Sequence, residues 1–260
     1  MKKVIVISDL HCGHRAGLTP PDYQWSGEWG EVQRELWYEY NNLIAKIGKA
    51  DVLLINGDTI DGSGSRAGGT EAIKTSSLEQ TDMAIECIKP WLHDMTKVIA
   101  SYGTAYHTST SGEDFEKIVT DKIGGEIHSE PFIDIEGVVF GMKHFIGQSS
   151  IPHGRGTALL RDVLWNIIWA ARQEQPQCDV VIRSHVHAFF EATMIGPKGK
   201  MVQGVITPAL QAAQTKYGGR IMSGTVDFGL IEYDVDNGEY SWRAHIKPIN
   251  ANKSETIRIV

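Results

Sequence analysis

A short apolar run near the amino terminus ends directly in side chains that can bind a metal ion. Residues 3–7 are rich in β-branched side chains and predict a buried strand. Asp9 and His11 follow, two residues apart, on a segment that we expect to be still extended, so that both side chains point the same way. Because sites in open α/β sheets lie at the carboxyl ends of strands, this pair suits a divalent cation. An Asx turn followed by a solvated histidine remains an equal alternative for this stretch alone.

Four further apolar runs end in side chains of the same kind. Strands are predicted for residues 51–55, 97–101, 137–141 and 179–183. The candidate ligands that follow them are, in chain order, Asp58, His107, His144, and the pair His185 and His187. Each has an ordinary alternative, such as a carboxylate that caps a turn or a histidine on the surface. Five such strand ends together favour a metal site, and mixed carboxylate and imidazole ligands suit a two-metal hydrolase.

The rest of the pattern predicts an α/β protein. Helical periodicity covers residues 31–47, 71–94, 113–123 and 157–174. In the last helix the predicted inward side chains are Leu160, Leu164, Ile167, Ile168 and Ala171, and Trp165 and Trp169 are expected in core or interface contacts. Beyond residue 188 the chain is β-rich, with hairpin turns predicted at 196–199 and 236–238. Residues 256–260 are either a final strand or a tail.

Length and composition limit the classes of function. The 260 residues suit one α/β domain spanning 1–260. A formal charge of −7 and a pI near 5.8 argue against a strong, salt-sensitive grip on nucleic acid, but a nuclease stays open because bound metal ions supply local positive charge. The three cysteines form no disulfide framework or CxxC motif, which favours a reducing cytoplasm. No signal peptide or membrane-spanning run is expected.

The motifs resemble those of the calcineurin-like metallophosphoesterase superfamily. The resemblance rests on Asp9-Leu10-His11, on Gly57-Asp58-Thr59-Ile60-Asp61, and on Ser184-His185-Val186-His187 in the place of Gly-His-x-His. It covers about the first three-quarters of the chain and implies a four-layer α/β/β/α sandwich of two mixed β-sheets flanked by helices. Carried over by position, it implies that Asp9, His11, Asp58 and His187 hold one metal ion, that Asp58 bridges, and that His144 and His185 hold the second.

The third motif departs from the family pattern. The family has Gly-Asn-His followed by an acidic residue, with the asparagine as a metal ligand and the histidine as general acid. This chain has Gly103-Thr104-Ala105-Tyr106-His107. His107 is either the displaced general acid, which we favour, or a ligand in place of asparagine. Thr104 looks like a poor ligand that could bind a water. Weaker candidates for phosphate contacts are His14, His153, Arg155 and Arg220, and His14 could equally support a ligand.

These features together predict a metal-dependent phosphoesterase. Two divalent ions, roughly 3.5–4 Å apart, would activate a bridging hydroxide, with Mn²⁺ favoured and iron, zinc, nickel or magnesium as alternatives. We expect a phosphodiesterase, with nucleotides or nucleic-acid ends among its potential substrates. The alternatives are a phosphomonoesterase or phosphoprotein phosphatase, and a non-catalytic scaffold that retains the fold. No membrane partner is expected, and the oligomeric state stays open.

Overall fold

Two β-sheets form the centre of the molecule. The computed structural model describes residues 1–63, 68–108, 112–149, 151–212 and 226–250. Its strands are β1 (Lys2–Ile7), β2 (Val52–Asn56), β3 (Lys97–Ser101), β4 (Glu126–His128), β5 (Phe132–Ile135), β6 (Val138–Met142), β7 (Val180–Arg183), β8 (Phe190–Ile195), β9 (Met201–Ile206), β10 (Phe228–Asp236) and β11 (Glu239–Lys247). Its α-helices are α1 (Glu28–Ile47), α2 (Ser77–Ile88), α3 (Ala105–Thr108), α4 (Phe115–Lys122) and α5 (Thr157–Ala171).

Both sheets are mixed. The first has six strands in the order β11-β10-β1-β2-β3-β4, and the four from β1 to β4 are parallel. The second has five strands in the order β5-β6-β7-β9-β8, with β6, β7 and β9 parallel. The hairpins β8–β9 and β10–β11 are antiparallel, as their turn residues predict. Because parallel strands end at the same edge of a sheet, the residues that follow β1, β2 and β3 are brought close together.

The alternation of side chains along β1 explains why the sheets form inner layers. Val4 and Val6 face the second sheet and pack with residues such as Phe140 and Ile182. On the opposite face of β1, Ile5 and Ile7 belong to a second cluster, which is completed by helix residues including Leu36, Tyr40, Met83 and Val119. Helix α5 covers the outer face of the second sheet through Leu159 and Val163. The predicted four-layer sandwich is therefore confirmed.

Several predicted elements differ from the observed ones. The helix predicted over residues 71–94 is limited to α2 and a following 3-10 turn, Lys89–Trp91, and strands β4 and β5 were not predicted. The predicted inward face of α5 was largely wrong. Ile167 does pack, partly buried, against the core of the second sheet. The buried residues of α5 are Leu159, Val163 and Asn166, whereas Leu164 and Trp165 are 46% and 47% exposed. The error arises because α5 is apolar on more than one side, so periodicity alone does not identify the side that meets the sheet.

The cysteines and the hydropathy of the helices agree with the sequence analysis. All three cysteines are free thiols and buried. Within the described ranges, no helix combines the length and apolarity that crossing a bilayer requires. Arg220 and residues 256–260 lie outside the described residues.

Candidate metal centre

The segments after β1 and β2 remain hydrogen-bonded to each other beyond the ends of the strands. The Asp9 amide donates to the Gly57 carbonyl at 3.1 Å, and the His11 amide donates to the Asp58 carbonyl at 3.0 Å. These bonds fix the spacing between the two segments. As a result Asp9, His11 and Asp58 lie side by side at the carboxyl edge of the first sheet.

The backbone is left-handed at five of the seven candidate ligands. Positive φ angles occur at Asp9 (51°), His11 (44°), Asp58 (51°), His185 (77°) and His187 (54°). The expectation that the segment after β1 is still extended was therefore wrong. Asp9 and His11 converge because both residues adopt the left-handed backbone conformation. Such conformations are uncommon outside glycine and cost free energy. They persist where surrounding structure enforces them, which is typical of functional sites.

Two glycines allow the strand ends to approach each other. Gly57 has φ of 75°, and a Cβ atom there would lie 2.6 Å from both the Gly103 Cα and the His144 Nδ1. A Cβ on Gly103 would lie 2.2 Å from the Asp58 Oδ1. A side chain at Gly57 would displace Gly103 or His144, and one at Gly103 would displace Asp58. Because Gly57 has no side chain, the backbone can turn closely beneath the site.

Seven predicted residues come together in three overlapping groups. The groups are Asp9, His11 and His187; His11, Asp58 and His107; and Asp58, His144 and His185. Within each group the potential ligand atoms lie within 4.8 Å of one another. Asp58 and His11 each belong to two groups. A shared carboxylate of this kind is suited to bridging two ions.

The short contacts link opposite sheets. His144 Nε2 lies 3.0 Å from Asp58 Oδ2, and His187 Nε2 lies 3.1 Å from Asp9 Oδ1. His11 Nε2 approaches His187 Nε2 at 3.3 Å. Both carboxyl oxygens of Asp9 are buried; Oδ1 faces His187, whereas Oδ2 has no hydrogen-bond partner among the described residues. Since a buried carboxylate oxygen without a hydrogen bond is costly, this donor set fits a bound cation.

Backbone carbonyls orient two of the histidines. His144 Nδ1 donates to the Asn56 carbonyl at 2.7 Å, and His107 Nδ1 donates to the Asp61 carbonyl at 2.5 Å. A carbonyl can only accept, so in each neutral ring the Nε2 lone pair faces the cluster. Histidines that bind metals commonly use their second nitrogen in this way.

Two acidic residues near the cluster were not among the predicted site residues. Asp61 Oδ1 lies 3.4 Å from His11 Nδ1, and its place in the second motif was the available signal. Glu116, on α4, is buried and accepts from the Thr59 amide at 3.1 Å and from the Gly103 amide at 2.7 Å. No motif identified Glu116, because its role depends on how α4 packs.

Burial and neighbouring charges shift the pKa values of these groups in opposite directions. Burial alone would raise the pKa of Asp9, but the charge of His187, its hydrogen bond to Asp9 and the charge of His144 together lower that pKa to about 2. Burial, reinforced by repulsion from His144, lowers the pKa of His185 to about 4. Burial, and to a smaller extent repulsion from Asp58, raises the pKa of Glu116 to about 7, although the hydrogen bonds from the Gly103 and Thr59 amides lower it. At neutral pH, Asp9 is therefore ionised and His185 is neutral, as metal ligation requires.

His144 provides a test of this electrostatic arrangement. Burial would lower its pKa, but the charge of Asp58 and the hydrogen bond to it, together with the charge of Asp9 and the hydrogen bond to the Asn56 carbonyl, raise the pKa of His144 to about 10 in the metal-free protein. A pKa raised from 6.5 contributes stability that is complete below pH 6.5 and is lost as the pH rises through 10. We therefore expect the free energy of unfolding, measured with urea on metal-stripped protein, to fall more between pH 6.5 and pH 10 in wild type than in His144→Gln. The exposed His128→Gln should behave like wild type, and equal pH dependence in His144→Gln and wild type would contradict this assignment.

The predicted phosphate-contact residues lie in different surroundings. His14 is buried, and its Nδ1 accepts from the Ala16 amide at 3.1 Å, a position that fits support of the ligand loop better than contact with a substrate. His153 is exposed in the turn Pro152–Gly154. Arg155 lines a small cleft with Val186, the residue between His185 and His187. Arg220 is outside the described residues.

No protein-family model and no curated protein matches the sequence. Among solved structures, a single-mutant Vps29 from Entamoeba histolytica is similar over 95% of this chain and 99% of that chain, with 14% identity and a TM-score of 0.47. A novel archaeal phosphodiesterase is similar over 94% and 99%, with 12% identity and a TM-score of 0.46. A metallophosphoesterase from Sphaerobacter thermophilus is similar over 94% and 88%, with 9% identity and a TM-score of 0.38. These distant similarities do not decide an activity, and assignment of the site rests on its own residues.

Proposed function

We propose that the chain is a metal-dependent phosphoesterase of the calcineurin-like superfamily, and that it hydrolyses phosphodiester bonds. The observation that carries this proposal is the set of three carboxylate and histidine groups that overlap at His11 and Asp58. Two carboxylates and five histidines from both sheets converge there. A structural role for so many buried, incompletely paired polar groups would be expensive in folding free energy.

The residues divide into two ligand sets. Asp9, His11 and His187 would hold one ion, His144 and His185 would hold the other, and Asp58 would contact both. Two divalent ions, when bound, would polarise a phosphoryl oxygen and offset the negative charge that develops during hydrolysis. The protein holds Asp58 in place through the Thr104 amide, which donates to Asp58 Oδ1 at 2.6 Å. The proposed role of His107 is to protonate the leaving oxygen.

The donor set consists of oxygen and nitrogen atoms. Cys12 follows His11 directly, but its thiol is buried and donates to the Leu18 carbonyl at 3.3 Å. Without a thiolate, the set suits Mn²⁺, iron, Zn²⁺ or Mg²⁺, and we favour Mn²⁺. The net charge of −7 supports a small diester or a single-stranded nucleic-acid end rather than a long duplex as substrate.

The first experiment compares a diester with a monoester. Metal-stripped protein should hydrolyse bis-p-nitrophenyl phosphate at least about a hundredfold faster after addition of Mn²⁺, and more efficiently than p-nitrophenyl phosphate. His185→Ala should lose Mn²⁺ and activity, whereas His128→Ala, an exposed histidine on β4, should retain both. A strong monoester preference would defeat the diesterase assignment. Failure to bind any metal would favour the non-catalytic scaffold.

A further inference from the structure

Thr104 occupies the position at which the related motif has asparagine. Its backbone follows Gly103 at the end of β3, and its amide donates to Asp58 Oδ1. This hydrogen bond places the Thr104 side chain beside the carboxylate that belongs to two of the ligand groups. The side chain therefore enters the cluster from β3, between ligands supplied by the two sheets.

The Thr104 hydroxyl contacts every member of the second ligand group. Its Oγ1 lies 3.2 Å from Asp58 Oδ2, 3.2 Å from His185 Nδ1 and 3.4 Å from His144 Nε2. The contact between His144 and Asp58 is 3.0 Å. Metal–ligand bonds of about 2.0–2.2 Å imply distances between adjacent ligands of about 2.8–3.1 Å in an octahedron and about 3.3–3.6 Å in a tetrahedron. The four contacts, from 3.0 to 3.4 Å, lie within the range that these two geometries span. The hydroxyl is therefore placed like one member of a ligand set around a single ion.

A bound ion would change the hydrogen bonding of these atoms. In the metal-free protein, a hydrogen bond from His144 Nε2 to Asp58 Oδ2 accounts for their 3.0 Å contact. A metal ligand must be neutral, and because His144 Nδ1 donates to the Asn56 carbonyl, Nε2 and Asp58 Oδ2 would then both be acceptors. The one proton of the Thr104 hydroxyl could not satisfy both acceptors, whereas a cation among the four atoms would bind all of them through their lone pairs.

We infer that the Thr104 hydroxyl is the fourth protein ligand of the ion held by Asp58, His144 and His185. This inference rests on the proposed function and replaces the expectation that Thr104 only binds a water. A neutral hydroxyl adds a hard oxygen donor without adding charge. The second ion should therefore be held more weakly than the first, and the oxygen donor should favour Mn²⁺ over softer ions.

Metal stoichiometry tests this role separately from activity. Full-length protein depleted of metal is titrated with Mn²⁺ by calorimetry, and bound ions are counted after gel filtration. Wild type should bind two ions. Thr104→Val, which keeps the side-chain shape, should lose affinity for one ion by about tenfold or more and leave the other unchanged. Thr104→Ser and Thr104→Asn should bind both, and so should Thr81→Val, a buried threonine on α2.

The outcomes distinguish a Thr104 hydroxyl that binds the ion from one that only positions Asp58. Because Asp58 belongs to both ligand sets, a threonine that only positioned it would weaken both ions together in Thr104→Val, and that result would overturn the inference. Two ions bound to Thr104→Val with wild-type affinity would also overturn it, while leaving the proposed function intact. If Thr104→Val does not fold, loss of one ion from Thr104→Ser or Thr104→Asn would be the contradicting result. Wild type that binds no Mn²⁺ would instead refute the proposed function.

Discussion

Replacing Asp58 with asparagine is expected to remove both ions and to lower diester hydrolysis at least about a thousandfold. Asp58 is buried, and its Oδ2 lies 3.8 Å from His11 Nε2 and 3.0 Å from His144 Nε2, so its carboxylate would support both proposed ions. Asparagine has nearly the same shape but carries no charge, and only one of its terminal atoms is an acceptor. It would leave His144 and His11 beside a neutral side chain, which attracts a cation far less.

The Asp58→Asn experiment needs both a metal count and a rate. Mn²⁺ bound per chain should fall from two towards zero, and activity with bis-p-nitrophenyl phosphate should fall with it. Asp82→Asn serves as the control, because Asp82 is an exposed carboxylate on α2 that pairs with Lys122 at 3.2 Å. That variant should keep both ions and the wild-type rate. Retention of one tightly bound ion by Asp58→Asn would show that Asp58 is a ligand of a single ion.

The sequence was sufficient to locate the cluster because its ligands follow buried strands. The apolar runs before Asp9, Asp58 and His144 are strands β1, β2 and β6, and the parallel order of the sheets brings their carboxyl ends together. The predicted strands, and the expectation that sites lie at the carboxyl ends of strands, therefore placed the right residues at one edge of the sheets. Periodicity gave no information on the left-handed backbone at Asp9 and His11, because that conformation depends on the hydrogen bonds to Gly57 and Asp58.

The residues that sequence reasoning missed are those whose role depends on tertiary packing. Glu116 lies far along the chain from Asp58, yet its carboxylate holds the amides of Thr59 and Gly103 on either side of the site. Nothing in its local pattern distinguishes it from other acidic residues on a short helix. The buried face of α5 was missed for a related reason, since Trp165 and Leu164 are apolar but face away from the sheet.

His107 is placed differently from the ligands with the shortest contacts. Its Nε2 lies 3.8 Å from Asp58 Oδ2, whereas His144 Nε2 lies 3.0 Å from the same atom. On the other side of the ring, Nδ1 donates to the Asp61 carbonyl, and Asp61 Oδ1 lies 3.7 Å away. The carbonyl and the carboxylate would stabilise a positively charged ring. Since His11 Nε2 also lies 3.8 Å from Asp58 Oδ2, that distance does not distinguish a ligand from a proton donor, and the contacts with Asp61 are what support a proton donor.

His107→Ala should therefore retain two Mn²⁺ ions and lose rate selectively. A general acid matters most when the leaving oxygen is strongly basic, so hydrolysis of a dinucleotide should fall about 10²–10³-fold. Hydrolysis of bis-p-nitrophenyl phosphate should fall much less, because nitrophenolate leaves without a proton. His128→Ala should leave both rates unchanged, which controls for the loss of a histidine in general. Loss of one ion together with an equal fall in both rates would instead identify His107 as a metal ligand. A missing ion weakens stabilisation of the phosphoryl group, and this effect does not depend on how basic the leaving oxygen is.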